Sequence, residues 1–141
     1  MSRFLVTGGA GFIGSHIAER LVKDKHYVRI LDNFSSGKIS NLKAVERKID
    51  LIKGDICSKP TCIKAAKNID FILHQAALRS VPKSMRKPHE YNRVNIDGTL
   101  NMLEAARENK VKRFVFASSS SVYGEVVDFP EKESFIPGPI S

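Results

Sequence analysis

Short apolar runs that alternate with amphipathic segments predict an α/β protein, a parallel sheet with helices on both faces. Three observations carry this. Five runs rich in β-branched and aromatic residues recur along the 141 residues. All but the last are followed by stretches with helical spacing. Small and polar residues gather just after the runs, at Gly8, Asp32, Asp55, Ala76, Ala77 and Ser118 to Ser121. In a parallel sheet these positions are the carboxyl ends of the strands, where ligands sit.

The elements read in order. A first strand spans about 3–7 and a helix about 12–24, in which Ile13, Ile17 and Leu21 share a face. A second strand covers about 27–32. A polar loop, 33–40, leads into a short helical turn near 41–47. The third strand, 49–53, ends at Gly54 and Asp55. A helix follows over about 58–67, with Ser58 as N-cap and Pro60 tolerated in its first turn. The fourth strand, 70–74, runs into a loop of small residues. A long helix covers about 88–109, with Ile96, Leu100 and Leu103 on one face. The fifth strand, 113–117, enters a serine run, and the segment after Gly124 reads as loop, with Pro130, Pro137 and Pro139.

Residues 4–14 read FLVTGGAGFIG, and Asp32 closes the second strand. Strand, three glycines (Gly8, Gly11, Gly14), helix, strand and terminal acid together form the layout of an adenine dinucleotide site. A tight strand-to-helix turn needs backbone that a Cβ would forbid, and a pyrophosphate must approach the main chain closely. The helix's first turn offers free N–H groups and a favourable dipole to the anion. Asp32, eighteen residues after Gly14, is placed to bind ribose hydroxyls and would repel a 2′-phosphate. Asn33 and Phe34 add no basic charge, so NAD is expected over NADP.

Bulk properties narrow the alternatives. No apolar run approaches the roughly 20 residues of a membrane span, and Met1-Ser2-Arg3 leads straight into a strand without a signal peptide. A cytoplasmic protein that does not engage membranes is expected. Cys57 and Cys62 are too far apart for a redox C-x-x-C motif and lack a second pair for zinc; they are expected to be reduced, partly buried thiols, and no metal site is expected. The net charge is +8, but the basic residues are scattered, with modest clusters at 83–87 and 110–113 and no aromatic interleaving. That argues against a nucleic-acid partner.

Residues 115–124 read VFASSSSVYG. Four hydroxyls after a strand can cap their own backbone, or one can bond a substrate oxygen; spacing alone leaves both readings open. The order of six segments is more specific. TGGAGFIGSH, LDNFSSGK, GDI, HQAALRSVPKS, NIDGTLNMLEAAR and ASSSSVYG together resemble the extended short-chain dehydrogenase/reductase family, in its nucleotide-sugar epimerase and dehydratase branch. The glycine spacing has one residue more than G-x-G-x-x-G, which is that family's own form. HQAALRSVPKS with ASSSSVYG is most similar to the UDP-sugar 4-epimerases.

The resemblance implies a Rossmann-like doubly wound sheet that holds NAD. It assigns the pyrophosphate to Gly8, Gly11, Phe12, Ile13 and Gly14, the adenosine ribose to Asp32 and Asn33, and the adenine to Asp55 and Ile56. Ala76, Ala77 and Arg79 would line the path to the nicotinamide ribose, and Asn95 would reach in from the long helix. Ser119 matches the catalytic hydroxyl. Ser118 is its neighbour on the cofactor side, and Ser80, Ser120 and Ser121 lie on the substrate side. His74, at a strand end, reads as a packed histidine rather than a catalytic one. The implied reaction is oxidation of a UDP-sugar at C4 by NAD⁺ to a 4-keto sugar, rotation, and return of the hydride to the other face. A tyrosine with a lysine four residues later supplies the base, and the serine polarises the C4 oxygen.

No Tyr-x-x-x-Lys occurs: Leu31, Asn95 and Val127 stand four residues after Tyr27, Tyr91 and Tyr123. The chain therefore reads as an N-terminal portion, 1–141, of a longer enzyme. Its sheet would be truncated after about five strands and its C-terminal substrate domain absent. Turnover alone is not expected. An exposed edge on the fifth strand and uncovered apolar surface favour self-association, and the full-length form would be a homodimer built on the long helix. The alternatives are an NAD-binding fragment without catalysis, or a dehydratase or decarboxylase of the same branch.

Overall fold

The computed structural model describes residues 1–126 and 129–140; Val127, Asp128 and Ser141, part of the expected terminal loop, lie outside the described residues. Five parallel strands form one sheet: β1 (Arg3–Thr7), β2 (Tyr27–Asp32), β3 (Ile49–Lys53), β4 (Phe71–His74) and β5 (Arg113–Phe116), in the order β3-β2-β1-β4-β5. In register, Thr7 pairs with Leu31 on one side and with His74 on the other. The chain order therefore reverses at β1, and the crevice between the loops after β1 and β4 is the switch point of a doubly wound sheet.

Alternation along the strands builds two cores. Leu5, Leu31 and Ile72 face one side, where α2 (Lys59–Ala66) contributes Cys62, Ala65 and Ala66, and α5 (Gly98–Glu108) contributes Met102, Ala105 and Ala106. Val6, Val28 and Ile30 face the other side with Ala18 of α1 (Phe12–Lys23) and Leu42. Each of these strand residues is removed from water, which stabilises by about 1.5–3 kcal/mol per large aliphatic side chain.

Most expected elements form within a residue or two of their expected bounds, and the differences have physical causes. The loop after β4 contains a short helix, α3 (Val81–Arg86), with Pro82 in its first turn. Lys87 leaves the helical region because Pro88 follows it, and Pro88 opens α4 (Pro88–Asn92). α4 runs through a π turn, Arg93–Asp97, into α5, making one long helix. Its expected apolar face points outward: Ile96 is 61% exposed, and Leu100 and Leu103 are also exposed. The buried face carries Gly98, Ala105 and Ala106 together with Met102; its small residues let the helix pack closely on α2 and Ile56, with Met102 filling the core between them. A Cβ on Gly98 would lie 2.7 Å from Ile56 Cδ1. On α1, Ile13 is 57% exposed, and the helix buries Gly14, Ser15 and Ala18 instead. Ser58 occupies the N-cap of α2, but its side chain does not cap it; its hydroxyl accepts from Thr61 Oγ1 at 2.9 Å.

Candidate functional site

A cleft of about 380 Å³ opens at the carboxyl ends of β1 to β4. The glycine turn forms its floor. Gly8 has φ +65°, and a Cβ there would lie 2.8 Å from Ala76 N. A Cβ on Gly14 would strike the carbonyl of Gly8. Both positions therefore require glycine, one for backbone conformation and close approach of the next loop, the other for seating α1 on the turn. No side chain caps α1, whose N-cap is Gly11, so its first N–H groups are left without a side-chain acceptor, and the residues that carry them, Phe12 to Gly14, line the cleft. Phe12 and Ile13 stand exposed at the rim.

Asp32 closes the next wall, 7% exposed. Its Oδ2 accepts from Ala10 N–H at 2.9 Å and its Oδ1 from Phe34 N–H at 2.8 Å. The carboxylate thus clamps the glycine turn to β2, and it retains lone pairs for further donors. Asn33 donates from Nδ2 to Asp55 Oδ2 at 3.0 Å, while Asp55 Oδ1 accepts from Cys57 N–H at 2.8 Å. Burial raises the Asp55 pKa, but the hydrogen bonds from Cys57 and Asn33 together with the Arg93 charge outweigh it and hold the carboxyl below its usual range. Ile56 lines the cleft edge, its side chain packed on Gly98.

Ala76, Ala77 and Arg79 form the opposite wall. Behind segment 75–77 lies a smaller cavity of about 120 Å³, bordered by His74, Asn95, Thr99 and Phe116, so the segment separates two spaces. Asn95 does not aim a free amide into the cleft. Its Oδ1 accepts from Leu78 N–H at 2.8 Å and its Nδ2 donates to Leu78 O at 2.9 Å, which staples the wall to the π turn.

The serines lie elsewhere. Ser118, Ser119, Ser120 and Ser121 are exposed, and none lines the cleft. Ser119 caps the turn Ser120–Tyr123: its Oγ accepts from Ser121 N–H at 3.2 Å and donates to Ser121 Oγ at 3.1 Å. Ser80 also lies outside the cleft lining, at the N-cap of α3. Sequence reasoning did not single out Ser35, Ser36, Gly37, Glu90, Arg93 and Val94, which also line the cleft. The first three stood in the polar LDNFSSGK loop, but nothing in the spacing foretold the π turn that carries Arg93 and Val94.

The sequence profile described as the NAD dependent epimerase/dehydratase family matches residues 4–141. The chain belongs to that family. Among its relatives, a UDP-N-acetyl-alpha-D-glucosaminuronate decarboxylase of Bacillus cytotoxicus is 44% identical over 87% of this chain and 38% of its own length. A UDP-glucose 4-epimerase of Klebsiella pneumoniae is 38% identical over 94% of this chain and 99% of its own. The UDP-N-acetylglucosamine 4-epimerase of Methanobrevibacter ruminantium M1, solved with UDP-N-acetylmuramic acid, superposes with TM-score 0.88 at 43% identity, covering 99% of this chain and 45% of that one. The UDP-glucose 4-epimerase of Thermus thermophilus, solved with NAD, does so with TM-score 0.87 at 40% identity, covering 97% and 44%. This member of the epimerase/dehydratase family thus spans under half the length of most of these relatives.

The remaining chemistry of the site is modest. Cys57 and Cys62 are free thiols, and burial is the main force that raises their pKa values, to about 11 and about 12; neither is a thiolate at neutral pH. Among the described residues no helix is long and apolar enough to cross a membrane, and no group of three His, Cys, Asp or Glu could hold a metal ion.

Proposed function

We propose that this chain is the NAD-binding portion of a nucleotide-sugar 4-epimerase, with residues 1–141 forming one incomplete cofactor domain. The observation that carries the reading is the turn at 8–14: two glycines with no room for a Cβ, an uncapped helix N-terminus, and a buried carboxylate behind them. A dinucleotide fits this donor set. Gly8, Gly11, Phe12, Ile13 and Gly14 would receive the pyrophosphate through backbone N–H groups. Asp32 and Asn33 would accept from the adenosine ribose, and Asp55 and Ile56 would border the adenine. Ala76, Ala77, Arg79 and Asn95 would wall the nicotinamide end. When bound, NAD supplies a reversible hydride acceptor. Ser118 would border it, and Ser119 would donate to the sugar's C4 oxygen once its bond to Ser121 is exchanged, with Ser80, Ser120 and Ser121 beside the substrate.

The substrate is a UDP-hexose, the locale is the cytoplasm, and the whole protein is a homodimer through the outward Ile96, Leu100 and Leu103. No nucleic acid or membrane takes part. Calorimetric titration tests the core of this reading: NAD binds and NADP binds more weakly, whereas no heat at millimolar NAD overturns it. The 141 residues alone turn over no UDP-sugar. A second reading, a decarboxylase or dehydratase that passes through the same 4-keto sugar, is favoured by the 44% identity to the Bacillus decarboxylase. Mass analysis of the products of a longer form separates the two, since loss of CO₂ or water is visible.

A further inference from the structure

His74 is buried to 1% exposure at the carboxyl end of β4, and no role assigned above uses it. Its two ring nitrogens each have a partner. Nδ1 lies 2.9 Å from Thr7 Oγ1, and Nε2 lies 3.2 Å from Thr99 Oγ1. The neighbours decide which nitrogen holds the proton. Thr99 Oγ1 donates to Asn95 O at 2.7 Å, so its only hydrogen is engaged and it can only accept from the histidine. Nε2 is therefore N–H, and in a neutral ring Nδ1 is the acceptor. Thr7 must then donate to Nδ1, and its oxygen accepts from Ala76 N–H at 3.2 Å. On the far side Asn95 holds both backbone groups of Leu78.

The bonds thus run in one direction from Ala76 through Thr7, His74 and Thr99 to Asn95, and return to the same loop at Leu78. They tie both ends of segment 76–78, of which Ala76 and Ala77 stand between the two cavities, to the central strand and the π turn. A histidine suits this position because one flat ring reaches two hydroxyls on opposite sides while stacking on Phe116 and packing at a tilt against Phe114, 5.9 and 5.4 Å between centroids. Low local dielectric makes such a closed, satisfied chain rigid.

We propose that His74, as the neutral Nε2–H tautomer, is a positioning residue that fixes the cleft wall at Ala76 and Leu78. Its consequence for cofactor affinity rests on reading the cleft as the dinucleotide site.

The test has two arms. Nitrogen chemical shifts of the wild-type chain report the tautomer: Nε2–H is expected, and a dominant Nδ1–H form overturns the proposal. His74→Phe keeps the aromatic stack and removes both hydrogen bonds. It should speed amide exchange at Ala76 and Leu78, and weaken NAD binding, each by about tenfold, the scale of one lost hydrogen bond, while amides in β1 and β2 stay protected. His74→Asn, whose amide oxygen lies where Nδ1 does, should restore protection at Ala76 and not at Leu78. Unchanged exchange at both amides in the Phe variant overturns the proposal, and so does equal rescue of both by Asn. If the Phe variant does not fold, the wild-type tautomer and the Asn pattern still decide. Should the wild-type chain ignore NAD while tautomer and exchange behave as stated, the positioning role stands and the cofactor reading falls.

Discussion

The glycine turn and the serine turn both follow strands of the sheet, the first after the buried end of β1 and the second after the largely exposed β5, and both match motifs of one family, yet they are held in opposite ways. The glycine turn is locked from outside itself. Asp32 of β2 accepts from Ala10, Gly8 N–H donates to Leu31 O at 2.9 Å, and Gly8 lies against Ala76. The serine turn is held mainly by its own bonds, Ser119 to Ser121, with Gly138 N–H on Val122 O at 2.9 Å and the Phe135 ring edge-on to Tyr123 as supports from later in the chain. A site whose geometry comes from tertiary partners is set before a ligand arrives; one held by local bonds can rearrange around a ligand. The contrast teaches that the glycine turn is preorganised, while the serine turn, proposed above as the substrate side, is a set of exposed hydroxyls.

Four experiments break or sharpen that contrast. The largest effect is expected from Gly14→Ala. Its Cβ meets backbone rather than a flexible side chain, so the turn must open, at a cost of about 3 kcal/mol. Urea denaturation should show that loss, and NAD binding should vanish. A variant as stable as wild type would mean that the turn is pliable.

Lowering the pH probes the far wall. Burial depresses the pKa of His74 from 6.5 to about 4. Between those values the unfolded chain takes a proton that the folded chain refuses, so stability falls as pH falls through this window, by roughly 3 kcal/mol in all. Thermal melts between pH 7 and 4 should show the slope, and His74→Phe should flatten it. Asp55, held below the usual carboxylate range, contributes in the same direction but at lower pH.

Asp32→Ala strands the buried N–H of Ala10 and should cost about 2 kcal/mol. It should also erase the preference for NAD over NADP, read as the ratio of the two dissociation constants. Ser119→Ala is the smallest. The residue is exposed and bonded only to its neighbour, so stability should move by less than about 0.5 kcal/mol with NAD affinity unchanged. A large loss of either would show that the serine turn is part of the preorganised site after all.

Much of this was legible in the sequence. The five strands and the carboxylate at Asp32 follow from local rules, because period-2 burial and strand-to-helix turns leave fixed spacings. The faces of the helices were not legible in the same way. Ile96, Leu100 and Leu103 make an apolar stripe that periodicity assigns to the core, but Gly98, Ala105 and Ala106 pack closer to α2 and occupy that space instead. Asn95, expected beside the cofactor, also holds both backbone groups of Leu78. Its partner, Leu78, is seventeen positions away and recognised only through backbone atoms, which leave no mark on side-chain pattern.

By itself the sequence determined the strand series, the glycine turn and the acid that faces it, because each depends on the conformations a few neighbouring residues allow. Tertiary structure alone decided which helix faces are buried, where the π turn falls, and that His74 joins β1 to the long helix. Those outcomes depend on how closely distant segments approach and on which polar atoms remain to be satisfied once they have done so.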